Sequence, residues 1–386
     1  MVTLISADNA LKSIYLDIVS EQINIKTNPL LARINSTSSD VWGKDIKKVA
    51  HYGLNGGVCA GTEIGTLPMG GENYYAQFTL PLINLYGTIS ISDKAIRASQ
   101  NSSGAFVNLL NAEMESLIKT SRFNLGRMLY GDGKGILATT IDNGRGQSVM
   151  VNDTKNLMEG MIVDIYIDAN EKVAESVRIL SIDRENKKVY FSRTLGEIKK
   201  GAFLTIQNSY DKELIGLGAI FKDSGELYGL SREEHKWLIP YMRRHVGEIN
   251  GTIIQKAIDE IEETTGSVIN FIVCSSGVKR ALLKHIATYN ATLDTIDLSN
   301  DYKALSYNGI PIVTDRFCPK GTMYLLNTND FTMHQLCDWT WLESGNGTIL
   351  QPIPNKPAYT ATLVKYANLI CDRPCGQGML SGITEK

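Results

Sequence analysis

The chain has 386 residues, enough for two or three domains at roughly 150 residues each. Hydrophobic residues make up 43% and charged residues 21%, which excludes a disordered chain and allows a sizeable core. Lys+Arg is 39 against Asp+Glu 41, and the resulting net charge of −2 speaks against a protein that grips nucleic acid or anionic lipid by bulk charge.

In chain order, residues 3–25 repeat Leu4, Leu11, Ile14, Tyr15, Ile18 and Val19 at helical spacing, which predicts an amphipathic helix. Asp8, Lys12 and Asp17 interrupt its apolar pattern, unlike a secretory signal. Nowhere does the chain approach the roughly 18 uninterrupted apolar residues of a membrane span. Asn28-Pro29 ends the helix, because proline disfavours helical geometry in the residue before it. Leu30, Leu31 and Ile34 then lead into a polar run from Ser36 to Asp40, an extended arm suited to docking on something else.

Residues 53–71 hold seven glycines: Gly53, Gly56, Gly57, Gly61, Gly65, Gly70 and Gly71. Strand-like sequence flanks them, Lys47 to Tyr52 before and Tyr74 to Leu82 after, so a long β-hairpin projecting from the body is expected over 47–82. No Lys or Arg occurs from Val49 through Asp93. Tyr86 to Ser92 alternates as a strand should.

A long helix is predicted from Ser103 to Tyr130, with Leu110, Met114, Leu117, Ser121, Leu125 and Met128 on one face. Gly131, Gly133 and Gly135 stop it. Five short strands then follow over 145–208 (149–151, 161–167, 177–182, 189–192 and 203–207), which predicts a small inserted β-barrel. The remainder reads as mixed α/β. It has helices at 249–261 and 278–289, strands at 268–274, 307–313 and 322–326, and a long strand from Tyr359 to Cys371.

The sequence holds no evident catalytic constellation. There is no G-x-x-x-x-G-K-[ST] loop and no G-x-S-x-G elbow. Cys274 and Ser275 stand at a strand-to-helix turn where a nucleophile could sit, but Ser275 and Ser276 read more simply as helix caps. The five histidines (His51, His235, His245, His285 and His334) lie too far apart in sequence for metal-site spacing, and Glu260, Glu262 and Glu263 read as a solvated helix face. Cys59, Cys274, Cys318, Cys337, Cys371 and Cys375 read as reduced thiols. No cofactor is called for. A projecting hairpin is costly to order and buries little in its own subunit, so its natural partner is another chain.

The order of these parts resembles the major capsid protein of tailed bacteriophages, a fold shared with encapsulins and the herpesvirus capsid floor. Asn28 to Ile34 looks like the family's N-terminal arm, 47–82 like its extended loop, and Leu85 to Ile96 like the lead into its spine helix. Tyr307 to Leu326 looks like the axial strands, and Tyr359 to Pro374 like the closing peripheral strand. The resemblance implies an α+β capsid fold: N-terminal helix and arm (1–46), extended loop (47–82), peripheral domain with spine helix (83–144), inserted barrel (145–208), axial domain (209–325), and a return to the peripheral domain with a C-terminal tail (326–386). It implies contacts between subunits through Pro29, Leu30, Leu31, Gly56, Gly57, Gly61, Gly65, Gly70, Gly71, Tyr74 and Tyr75. It further implies hexamers and pentamers of an icosahedral virion shell, assembled in the host cytoplasm around DNA that is enclosed without specific binding. A portal protein is an expected partner, and because only 27 residues precede Asn28, either a separate scaffolding protein assists assembly or the chain is already a processed form, with Met1 favouring the former. A decoration protein is a further one. Some members join a loop lysine to a neighbour's asparagine, and the absence of lysine from Val49 through Asp93 here implies no such bond. An encapsulin shell is the alternative within the fold, and a hydrolase using Ser275 or Cys274 the alternative outside it.

Overall fold

A computed structural model describes residues 28–71, 74–94, 103–288, 295–298, 302–345 and 347–385. The helix expected at 3–25 lies outside them. Asn28 opens the described chain by accepting hydrogen bonds on Oδ1 from the N–H groups of Leu30 and Leu31. Strand β1 (Asn35–Thr37) and the short β2 (Val41–Trp42) lead into β3 (Asp45–His51), which pairs antiparallel with β4 (Tyr75–Pro81). After Leu82, β5 (Ile83–Ser92) alternates buried Leu85, Ile89 and Ile91 with exposed positions between them, as a half-buried strand requires. Helix α1 (Ser103–Met128) has 26 residues, roughly 39 Å at 1.5 Å per residue. It buries Met114, Leu117, Ser121, Leu125 and Met128, the apolar stripe visible in the sequence.

A closed module follows. Its strands are β6 (Ile136–Thr139), β7 (Gly144–Met150), β8 (Ile162–Tyr166), β9 (Lys172–Asp183), β10 (Lys188–Ile198) and β11 (Phe203–Ile206), in the spatial order β6-β11-β8-β9-β10-β7. The two ends meet where Thr140 bridges Val151, with Ile141 N–H donating to Met150 O and Asn152 N–H to Thr139 O, which closes a six-stranded barrel. Its core, built around Val149, Val163, Ile165, Val177, Ile179, Phe191 and Leu204, is separate from those of the rest of the chain. The module expected over 145–208 starts earlier in the chain. The barrel also recruits Ile136–Thr139, a strand too short to show a period of its own.

The chain returns through the helical turn α2 (Leu217–Ile220) and a two-rung hairpin of β12 (Glu226–Leu227) and β13 (Leu230–Ser231). Then come β14 (Tyr241–Arg243), α3 (Gly251–Thr265), β15 (Phe271–Cys274), α4 (Ser276–Thr288), β16 (Thr295–Leu298), β17 (Tyr302–Tyr307), β18 (Ile310–Thr314) and β19 (Met323–Leu326). Asn250 caps α3 by accepting from Ile253 N–H, and Gly266 ends the helix in the left-handed region. Last come β20 (Phe331–Trp341), β21 (Gln351–Pro352), β22 (Ala358–Cys371) and β23 (Gly378–Leu380). One sheet has β22 at its centre, flanked by β5 on one side and by β20 and β21 on the other, with β1 adding parallel to β20. A second has the order β14-β23-β19-β15-β18-β17-β16.

Residues 378–380, expected in the return segment and tail of 326–386, form β23, which inserts between β14 and β19 of the second sheet. Glu385 then accepts from the Ser275 hydroxyl and from Gly321 N–H (2.7 Å).

Two buried carboxylates hold the barrel. Glu213, on its exit, pairs in two-pronged fashion with Arg127 near the end of α1 (2.6 and 2.7 Å), both side chains being almost fully buried. Asp164 inside the barrel accepts from Ser176 N–H (2.8 Å), Asn208 N–H (3.0 Å) and Lys172 Nζ (3.0 Å). Ser176 and Asn208 both have positive φ, so this carboxylate pins one left-handed residue within β9 and another in the turn after β11. Burial alone would raise the pKa of Asp164, but the two N–H donors and Lys172 outweigh it and hold the carboxyl below its ordinary value. The stabilisation it gives is therefore complete above the unfolded carboxyl pKa of about 3.9 and is lost as pH falls through the lower folded value. Asp164→Asn should cost about 1–3 kcal/mol by replacing one acceptor oxygen of the buried carboxylate with an amide that cannot accept, and it should flatten the acid limb of the barrel's stability. Hydrogen exchange of the amides in 162–206, followed against pH in parent and variant, checks both.

Candidate intersubunit interface

The ladder between β3 and β4 runs from Asp45↔Pro81 to His51↔Tyr75, and Tyr52 N–H closes it by donating to Tyr74 O (3.1 Å). Beyond that rung the chain leaves its own body. Leu54, Val58, Ile64, Leu67 and Met69 are 91, 86, 97, 91 and 90% exposed. Burying five such side chains is worth about 1.5–3 kcal/mol apiece, on the order of 10 kcal/mol in all, and their own subunit realises almost none of it. The two limbs of the loop touch at Gly71, where a Cβ would lie 2.4 Å from Gly56 N; only glycine fits that approach. Gly56, Gly61, Gly65 and Gly70 are exposed along the loop, Gly57 is half-buried, and Tyr74 and Tyr75 stand exposed at its root. Trp42 and Val49 add further exposed apolar surface beside Lys47 on the outer side of the hairpin.

The base is held firmly. The Tyr52 ring stacks on Trp237 (centroids 5.0 Å apart, planes 6° apart) and meets His235 edge-on (5.8 Å). Phe78 packs on both Trp237 and Tyr228. Thr79 N–H donates to Tyr228 O, and Cys371 N–H to the Tyr228 hydroxyl, both at 2.9 Å. Lys48 pairs with Asp372 (2.8 Å). Under this platform lies Arg232, 1% exposed, whose guanidinium donates to the carbonyls of Ala219, Ile220, Ser224 and Glu226 and so stitches α2 to the β12–β13 hairpin. The segment 217–238 was not singled out from sequence. It has no period to detect, and its clearest signal is the aromatic grouping Tyr228, His235 and Trp237 itself.

The other expected contact residues divide. Leu30 is fully buried in its own subunit, so its side chain is not free to meet a neighbour, whereas Pro29 and Leu31 are half-buried. The enzyme alternative rested on Cys274 and Ser275. Burial pushes the Cys274 thiol up to about 12, far from a reactive thiolate. Ser275 is buried against Glu385 and accepts from Val278 N–H at the start of α4 (3.5 Å).

No family model matches the chain, and no curated protein matches its sequence. Solved structures match over nearly its whole length. The chain superposes on the cyanophage A-1(L) capsid asymmetric unit with a TM-score of 0.55 at 13% identity, covering 93% of this chain and 94% of that one. It superposes on the holo-SrpI encapsulin complex from Synechococcus elongatus PCC 7942 with a TM-score of 0.50 at 10% identity, covering 96% of each. The capsid of the empty GTA particle gives 0.50 at 11% identity, covering 93% and 91%. The chain therefore has the α+β capsid fold of tailed phages, the fold these shells share with encapsulins.

Trp237→Ala removes the ring that Tyr52 and Phe78 pack against. A stacked aromatic pair is worth about 0.5–1.5 kcal/mol, so amide exchange in 48–52 and 75–79 should rise about three- to tenfold, and Trp237→Phe should restore most of the protection. Unchanged exchange there would mean that the ladder alone holds the base.

Proposed function

We propose that this chain is the major capsid protein of a tailed double-stranded DNA phage, building hexamers and pentamers of an icosahedral head. The observation that carries the reading is the loop 53–71: in a chain with the capsid fold, it holds large apolar side chains away from its own body on a rigid base. Contacts of this kind are heterologous, the donor surface differing from the acceptor surface, and they close into rings around local axes. Each subunit then buries surface on several neighbours, and many modest contacts sum to a stable shell. Pro29, Leu31, the loop glycines, Tyr74 and Tyr75 are the residues assigned to these contacts. The net charge of −2 suits a container that encloses DNA with solution counterions and does not grip it. A separate scaffolding protein, a portal and a decoration protein complete the partners, with assembly in the host cytoplasm. The barrel serves as an outward-facing module on the axial side; its seat against the segment between β18 and β19 is supported by Lys155 Nζ donating to Cys318 O and by Lys320 pairing with Asp153 (3.5 Å).

An encapsulin-type compartment is the second reading, favoured by the 96% mutual coverage with the SrpI shell protein. Contents discriminate: a shell formed in cells encloses DNA in the first case and a protein cargo in the second.

Purified chain examined by size-exclusion chromatography and negative-stain microscopy should give five- and six-fold rings and closed shells. A chain that stays monomeric at every concentration and hydrolyses esters would falsify the proposal. Mature shells run on a denaturing gel should give a single band at the 42.6 kDa subunit mass, since Val49 through Asp93 offers no lysine for a covalent bond to a neighbour. A ladder of multimers would contradict that expectation.

A further inference from the structure

The seven-stranded sheet carries two helices on one face: Ile254, Ile258 and Ile261 of α3 share a single core with Val278 and Leu282 of α4. Their outer faces carry opposite charge. α3 holds Asp259, Glu260, Glu262 and Glu263 against one cation, Lys256. α4 holds Lys279, Arg280 and Lys284 and no carboxylate, although Glu385 lies near Arg280 and offsets part of that charge. The chain's net charge of −2 thus conceals two separated charged faces. Among the described residues no ion pair joins the two helices, and Glu262, Glu263, Lys279 and Arg280 form none with any other group. Asp259 stands three and four residues before Glu262 and Glu263, a spacing at which like charges repel on a helix. On the acidic face Thr252, Gln255, Lys256, Asp259, Glu260 and Glu263 line an open recess of about 350 Å³, room for a long cationic side chain.

We infer that the acidic face of α3 in one copy of this chain docks against the basic face of α4 in the next; the inference rests on the capsid reading above. Charge complementarity names the partner, since each face lacks counterions in its own subunit and the same chain supplies them. Connectivity agrees. The chain passes from β14 at one margin of the sheet through α3 to β15 at its centre, then through α4 to β16 at the other margin. The acidic end of α3 lies on the first side, with Ile261 against Gly378 of β23, the strand next to β14. Two different faces meet in such a contact, so it is heterologous and runs head to tail around a ring. A single exposed ion pair is worth little, but the contact recurs at every subunit of the ring. Its larger effect is on orientation: a neighbour placed the wrong way round sets acid against acid or base against base and is rejected.

Charge exchange on the full chain tests this, with assembly followed by sedimentation velocity and negative-stain microscopy. One variant carries Glu262→Lys and Glu263→Lys, a second carries Lys279→Glu and Arg280→Glu, and a third carries all four changes. None of the four side chains is buried, so each variant should unfold at the parent's temperature. Either double variant alone should form at least tenfold fewer capsomers than the parent, because like charges then meet at every contact. The fourfold variant should recover both five- and six-fold rings, since its two faces have exchanged sign together. An equal mixture of the two double variants should recover six-fold rings, in which alternate copies match at every contact. It should not recover five-fold rings, where an odd number leaves one like-charged contact. Double variants that assemble as the parent does, or a fourfold variant that is folded yet stays disassembled, overturn the pairing while leaving the capsid reading intact. Failure of the parent itself to assemble counts against the capsid reading.

Discussion

The constraint on which the rest depends is that the loop beyond Tyr52 cannot bury its apolar side chains in its own subunit. Five of them stand at 86–97% exposure on a segment with a single charge. Ordering such a segment costs roughly 1–2 kcal/mol of backbone entropy per residue, and only contact with another chain can offset that. The fold compensates by fixing what it can. The ladder, the Tyr52–Trp237 stack and the Lys48–Asp372 pair aim the hairpin before any partner arrives, so less freedom is left to lose on assembly.

The rest of the molecule gives that aim something rigid to stand on. Strand β22, buried along most of its length, binds β5 and β20 into one sheet, and α1 lies across it with Leu117 against Gly87. Asn368 on β22 donates to Pro81 O at the root of the hairpin and accepts from Ile215 N–H on the barrel's return path. Hairpin, barrel exit and central sheet thus share one buried side chain. The Arg127–Glu213 pair adds a second tie between α1 and the barrel. The C-terminal strand β23 and Glu385 lock the seven-stranded sheet to the start of α4. The barrel, with its own closed ladder and separate core, can differ without disturbing these ties.

Much of this was legible because it follows from local rules. Seven glycines between strand-like flanks gave the hairpin, the period of Met114, Leu117, Ser121, Leu125 and Met128 gave the long helix, and regularly spaced turns gave five of the six barrel strands. What escaped is what only tertiary structure creates. Ile136–Thr139 and Gly378–Leu380 are strands of four and three residues that exist because neighbours supply their ladders. Leu30 sits within the arm-like stretch, yet the core claims it. The platform at 217–238 is irregular backbone organised by the buried fork of Arg232, and a residue type normally found at surfaces gives no warning of that role.

The central claim is that the loop is dispensable for folding and required for assembly. The most direct measurement is sedimentation velocity on a variant in which residues 54–71 are replaced by a short Gly-Gly connection. The account predicts a folded monomer with the parent's thermal unfolding and no capsomers or shells at concentrations where the parent assembles. Shells indistinguishable from the parent's would contradict it.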